Sequence, residues 1–240
     1  LPSAIAQALA DRGYAEATPV QAEVLKSEAH DRDMLVSAQT GSGKTVAYGL
    51  ALARTLLGDA ERLPSAREPL ALIIAPTREL ALQVQREVDW LYAKAGGRVA
   101  SCVGGMDMRR EQRALAQGAH IVVGTPGRLR DHLERGSLVT SHMRAVVLDE
   151  ADRMLGLGFR DDLEEILDWT PAEARTLLFS ATLPKPIVTL AKRFQRDAFR
   201  IATIGSDKPH GDIEYRAVRV APGDIEHAIV NVLRYFEANG

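Results

Sequence analysis

The 240-residue sequence contains one cysteine, Cys102, so no internal disulfide can form. At this length a chain buries roughly 70–75% of its unfolded surface, enough to fold without disulfides or metals. A lone cysteine fits a reducing compartment, and Cys102 itself reads as a small buried apolar residue. An excess of either charge is also missing. Thirty Lys and Arg face 32 Asp and Glu, for a net charge of −2. Bulk charge therefore provides no general attraction to nucleic acid, and any such contact must come from a few placed residues. No apolar run is long enough to span a bilayer, and no basic-then-apolar leader opens the chain, so a cytoplasmic location is expected. The six histidines lack metal-ligand spacing. The first residue is Leu1 rather than methionine, and we expect a segment of something longer.

What remains is ordinary in bulk, 46% hydrophobic and 26% charged, and specific in order. Short apolar runs at 33–38, 70–76, 99–105, 120–126, 145–151, 176–182 and 199–204 show little polar alternation. Strands buried on both faces of a parallel sheet have this pattern. Between them, apolar residues recur three or four apart, as in Leu80, Val84, Val88 and Leu91; Phe159, Leu163 and Ile166; and Ile187, Leu190 and Phe194. The alternation predicts a doubly wound α/β fold, a mainly parallel sheet of about seven strands with helices on both faces. Ligands in such folds bind at the carboxyl ends of the strands. Residues 205–212 break the pattern as a linker. After them an alternating stretch and a helix with Ile225, Ile229, Val232 and Phe236 on one face read as the opening of a second domain, 213–240, against a first domain of 1–204.

The residues directly after the runs carry the chemistry. "AQTGSGKT", at 38–45, is a phosphate loop between a strand and a helix. Its N–H groups and the helix end favour phosphate, Lys44 can reach the β and γ groups, and the Thr45 hydroxyl can ligate Mg²⁺. Ala38 stands where the usual pattern has its first glycine, so the loop must enter without a left-handed turn. Asp149 and Glu150 end "RAVVLDE". Asp149 can hold magnesium, and Glu150 can orient and deprotonate an attacking water. Ser180 has no G-x-S-x-G elbow around it, which excludes a covalent serine mechanism. The hydroxyls of Ser180 and Thr182 either relay the state of the γ-phosphate through the neighbouring acids or satisfy local backbone.

Taken in order, "GYAEATPVQ", "AQTGSGKT", "PTRELALQ", "GG", "TPGR", "DEAD" and "SAT" closely resemble the first RecA-like domain of the DEAD-box RNA helicases, over residues 13–182. The resemblance implies ATP and Mg²⁺ as cofactors and RNA as partner. It puts Gly41, Ser42, Gly43, Lys44 and Thr45 on the nucleotide, Thr45 and Asp149 on the metal, and Lys44, Asp149 and Glu150 at the catalytic step. Asp152, Ser180 and Thr182 take the coupling role. Tyr14 and Gln21, otherwise a core aromatic and a helix-surface amide, become the residues that stack on and read adenine. An amide that donates and accepts at once suits adenine, whereas a buried polar group left unpaired by guanine would cost about 1–3 kcal/mol.

The same resemblance places RNA on Thr77, Arg78, Gly104, Gly105, Thr125, Pro126, Gly127 and Arg128. Contacts of this kind, to sugar and phosphate, carry no sequence information. Two departures limit it: Gly156 and Leu157 stand where family members carry an acid and a methionine, and no "HRIGR"-type segment occurs before Gly240. In the family those arginines belong to a second RecA-like domain and reach the γ-phosphate. The expected behaviour is ATP binding, slow hydrolysis and no unwinding by this chain alone. A GTPase would show Asn-Lys-x-Asp and a small-molecule kinase an arginine-rich lid, and the chain has neither. A DNA-duplex translocase or a turnover-poor RNA clamp remain as rivals.

Overall fold

The structure is a computed structural model, described here for residues 1–203 and 219–238. It divides into two compact units, 1–204 and 205–240. In the second, a short turn at Pro222–Asp224 leads into helix α10, Ile225–Ala238. The expected linker at 205–212, and most of the alternating stretch after it, lie outside the described residues.

The first unit is built on a seven-stranded sheet. Its strands are β1 (Met34–Ser37), β2 (Ala71–Ile74), β3 (Val99–Cys102), β4 (Ile121–Gly124), β5 (Ala145–Leu148), β6 (Arg175–Ser180) and β7 (Phe199–Ala202). Every predicted run forms a strand, in the order β3-β4-β2-β5-β6-β1-β7, and every pairing is parallel. Strands β1, β2, β4, β5 and β6 are buried at each position, which explains their unalternating apolar sequences.

Because side chains alternate across a strand, each strand feeds two cores. Met34, Val36, Ile73, Val147 and Phe179 pack on one face. There they meet α1 (Ser3–Asp11), α2 (Pro19–Val24), α3 (Lys44–Leu57) and α4 (Arg78–Ala93). Leu35, Leu72, Ile74, Val146, Leu148 and Leu178 pack on the other. That face is covered by α5 (Met108–Ala116), α6 (Pro126–Glu134), α7 (Ala151–Gly156), α8 (Arg160–Asp168) and α9 (Lys185–Phe194). The helix behind "DEAD" persists, but it stops at Gly156 and is followed by Gly158 in a left-handed conformation before α8 begins.

Strand order separates the motifs. β5, β6 and β1 are neighbours and end in "DEAD", "SAT" and the phosphate loop. β3, β4 and β2 are neighbours in the other half and end in "GG", "TPGR" and "PTREL". A single sheet thus presents two adjacent groups of loops along one edge.

Candidate functional site

The phosphate loop leaves β1 with Ala38 N–H bonded to the Ser180 carbonyl at 3.0 Å, so the first turn is pinned to the end of β6. Gly41 and Gly43 take φ of 81° and 84°, while Ala38 takes no positive φ. Lys44 is buried and its Nζ donates to the Ala38 carbonyl at 3.1 Å, which folds the ammonium under the turn. The Ser42 hydroxyl closes the loop on the Gln39 carbonyl at 2.7 Å. The start of α3, with Lys44 beneath and Thr45 beside it, offers N–H groups and one cation to an anion.

Asp149 lies one residue past β5 and is 3% exposed. Tyr48 Oη donates to its Oδ2 at 3.1 Å and Glu150 N–H to its Oδ1 at 2.9 Å. Burial pushes its carboxyl up to about 6; Lys44 pulls it down and Glu150 pushes it further up. Such a group gains from a cation. The oxygen donors Thr45 and Asp149 suit Mg²⁺, which takes carboxylate and hydroxyl oxygens and retains water. Glu150 sits at φ 48°, ψ 49°, a left-handed conformation costly for a residue with a Cβ and one that occurs at functional sites. Its carboxylate meets Arg153 at 3.1 Å.

Behind the acids, Asp152 accepts from Thr182 twice, from N–H at 3.0 Å and from Oγ1 at 2.7 Å. Its own N–H donates to Ser180 Oγ at 3.2 Å. Burial opposes its ionisation, but bonds from Thr182 and Ser180 hold the carboxyl below its usual value. The three residues assigned a coupling role therefore form one bonded group linking α7 to the end of β6.

Gln21 is 2% exposed and half spent on structure. Its Oε1 accepts from Thr18 N–H in a capping box, and its Nε2 donates to the Gly43 carbonyl at 3.3 Å. One N–H and one lone pair remain for a base edge. Tyr14 is 44% exposed, and its ring lies 5.8 Å from that of Trp90, tilted by 31°. Arg12 sits 5.0 Å over the same Trp90 ring.

The second group of loops is bonded together. Thr125 N–H donates to the Cys102 carbonyl at 3.1 Å and Gly104 N–H to Thr125 Oγ1 at 3.4 Å. Arg128 is engaged rather than free: its Nη1 donates to the Met106 carbonyl at 3.1 Å and to Glu111 Oε2 at 2.8 Å. Glu111 also accepts from Val103 N–H at 2.9 Å and bonds His132 Nε2 at 2.7 Å. Burial opposes its charge, yet His132, Val103 and Arg128 together hold its carboxyl low. Cys102 completes a grouping of thiol, carboxylate and imidazole within 4.8 Å. The Arg128 guanidinium already supplies the positive charge there, and burial pushes the thiol far up, so the group reads as an ion-pair network rather than a metal centre. Thr77 caps α4, and Arg78 is exposed with its Nη2 on Met106 Sδ at 3.2 Å. Gly104, Gly105 and Gly127 are exposed, whereas Pro126 is buried at the first position of α6, where its fixed φ starts the helix.

Sequence reasoning missed Tyr48, Trp90, Glu111 and His132. Glu111 and His132 had a detectable signal, since each occupies a helix phase otherwise apolar, beside Leu115 and beside Leu129 and Leu133. Tyr48 and Trp90 carried none, because an aromatic on a helix is ordinarily core.

Comparison with known proteins gives one consistent result. The DEAD/DEAH box helicase family model matches residues 18–190. The DEAD-box ATP-dependent RNA helicase CshA of Geobacillus kaustophilus is 43% identical over 197 residues, 82% of this chain and 41% of that protein. The ATP-dependent RNA helicase DeaD of Haemophilus influenzae is 44% identical over 198 residues, 82% of this chain and 31% of that protein. The chain thus spans 41% or less of the length of these two relatives. A crystal structure of a DEAD box protein from Methanococcus jannaschii superposes with a TM-score of 0.75 at 35% identity, over 95% of this chain and 60% of that one. A hypothetical ATP-dependent RNA helicase from Sulfolobus tokodaii also gives 0.75, at 32% identity, over 84% of this chain and 57% of that one.

Proposed function

Since the chain belongs to the DEAD/DEAH box helicase family, we propose that it is the ATP- and RNA-binding half of an ATP-dependent RNA helicase. The observation that carries this reading is the adjacency of β1, β5 and β6. It gathers Lys44, the buried Asp149 and the Asp152–Thr182 pair at one edge of the sheet.

In this reading the loop of Gly41, Ser42 and Gly43 receives the phosphates and Lys44 neutralises them. Thr45 and Asp149 would hold Mg²⁺, which would supply positive charge to offset that of the phosphates. Glu150 takes the proton of the attacking water. Tyr14 and Gln21 recognise adenine, which makes ATP the nucleotide. Asp152, Ser180 and Thr182 carry the state of that site to the start of α7 and the residues after β6. The loops after β2, β3 and β4 hold the RNA backbone without reading its sequence. A second RecA-like domain, beginning within 213–240, supplies arginines across the cleft, and closure destabilises a bound duplex. Arginines supplied in this way are typically worth about 10³–10⁵ in rate, so the chain alone should bind ATP and turn it over slowly. Cytoplasmic location belongs to the same proposal and rests on the single buried cysteine.

The test is ATP hydrolysis by the intact protein with RNA, with DNA and with neither, alongside Glu150→Gln. Stimulation by RNA and loss of turnover with ATP binding retained in the variant are expected. Equal stimulation by duplex DNA would point to a translocase, and undiminished turnover in the variant would remove the proton-accepting role.

A further inference from the structure

Helix α5 is fixed in rotation by what it buries. Glu111 and Leu115 face the second core, and Glu111 is locked there by Val103, Arg128 and His132. At about 100° per residue, the opposite side of the helix presents Arg109, Arg110 and Arg113 within an arc of about 100°. All three are exposed. Among the described residues none enters an ion pair, whereas Arg130, Arg153, Arg160 and Arg193 each meet a carboxylate. The exposed acid nearest in sequence, Asp107, is committed to capping α5 through the Arg109 N–H. A chain with a net charge of −2 thus concentrates three exposed guanidinium groups, without a carboxylate partner among the described residues, on one short helix.

Their position gives the concentration a direction. Helix α5 starts three residues past Gly105, and Arg78 leans over that glycine closely enough that a Cβ there would lie 3.1 Å from Nη1. Arg78, Arg109 and Arg110 therefore flank the same loop, and Arg113 continues the line one turn further along α5. Arg109 and Arg113 are separated by about 6 Å along the helix axis. Successive phosphates of a stacked strand advance about 3.4 Å along its axis, so two guanidinium groups at this spacing can address neighbouring phosphates of one strand. Guanidinium groups match phosphate oxygens in bidentate geometry.

We propose that the outer face of α5 is a second phosphate-binding segment that extends the RNA track beyond the Gly104–Gly105 loop. The proposal rests on the RNA reading above and adds residues which that reading does not assign. Its ligand is the phosphodiester backbone of an RNA strand, and its effect is a longer footprint with a steeper salt dependence.

The test is binding of labelled single-stranded oligoribonucleotides, one short and one several nucleotides longer, to the chain across a series of KCl concentrations. The variant is R109Q/R110Q/R113Q, with Arg78→Gln as reference. The wild-type chain should bind the longer RNA more tightly and with a steeper slope. In the triple variant the slope should fall by about 2, at about 0.7 per lost contact, and the length advantage should vanish. Binding of a fluorescent ATP analogue should be unchanged, and R109K/R110K/R113K should restore the slope, which separates charge from misfolding. A triple variant with wild-type slope and length dependence, where Arg78→Gln weakens binding, overturns the α5 proposal and leaves the RNA reading standing. No RNA binding by the wild-type chain overturns both.

Discussion

The carboxylate of Glu111 accepts from the Val103 N–H at 2.9 Å and from the Arg128 guanidinium at 2.8 Å. One buried acid on α5 thereby ties the loop after β3 to the helix after β4. Replacing it with alanine leaves Arg128 without its counter-charge in a site where the two side chains are only 13% and 6% exposed. Breaking a buried pair from one side typically costs about 3–5 kcal/mol. Urea unfolding of Glu111→Ala should show a loss of that order, and Arg128→Ala/Glu111→Ala should lose less than the sum of the single variants. RNA affinity should fall while ATP affinity holds. Additive losses would mean that the pair does not act as a unit.

The two halves of the sheet differed in how far they could be read from sequence. The strands were legible because burial on both faces removes polar alternation, and the phosphate loop was legible because its chemistry is local in sequence. The Glu111 network was not: its members lie on α5, on α6 and after β3, and meet only because β3 and β4 are neighbours. The bond from Arg128 to Glu111 was hidden for the same reason. Arg175 is a parallel case at the other end of the sheet. It is 7% exposed and donates to the carbonyls of Arg32 and Ala51, partners distant in sequence that no spacing predicts.

Asp149 trades stability for chemistry. Its carboxyl titrates near 6 in the folded chain, against 3.8 for the ordinary group, a difference of about 3 kcal/mol. With the folded value raised, the ionisation penalty is absent below pH 4 and complete above pH 6. The contribution of Asp149 to stability should therefore fall across that window as pH rises. Asp149→Asn should raise the thermal midpoint at pH 8, give no advantage at pH 4, and abolish Mg²⁺-dependent ATP binding. Equal effects at both pH values would show that charge burial is not the cause.

Two glycines of the phosphate loop differ in what a side chain would meet. Both have positive φ, but a Cβ at Gly43 would fall 2.6 Å from Gln21 Nε2, whereas nothing lies within 4 Å at Gly41. Gly41→Ala should cost only the backbone strain, about 1–2 kcal/mol. Gly43→Ala should cost more and should also displace Gln21, weakening ATP binding more than tripolyphosphate binding. Isothermal titration with the two ligands separates these effects, and an equal loss for both would detach Gln21 from base recognition.

Thr182 holds Asp152 through two hydrogen bonds, from its N–H and from its hydroxyl. Thr182→Ala removes the hydroxyl bond and keeps the N–H bond, a change of about 1 kcal/mol in stability. In the intact protein ATP binding and RNA binding should both survive, while RNA should no longer accelerate hydrolysis. Steady-state assays with and without RNA decide it. Retained stimulation would reduce the Asp152–Thr182 pair to a local structural contact.

Trp90 stands behind Tyr14 at 5.8 Å, with Arg12 over its ring, and supports an aromatic residue that belongs to neither α1 nor α2. A ring that is 44% exposed on a loop has other orientations open to it, and a partner that restricts them lowers the entropy lost when a base stacks. Aromatic pairs contribute about 0.5–1.5 kcal/mol beyond area, so Trp90→Ala should weaken ADP binding roughly 2- to 10-fold. Tripolyphosphate binding should not change, because Lys44 and the glycines of the loop are untouched. Trp90→Phe should recover most of the loss by restoring a ring at the same place. In a Trp169→Phe background Trp90 is the sole indole, and its emission should shift with ADP and stay constant with tripolyphosphate. A shift with both ligands would instead indicate that the whole loop moves when phosphate binds.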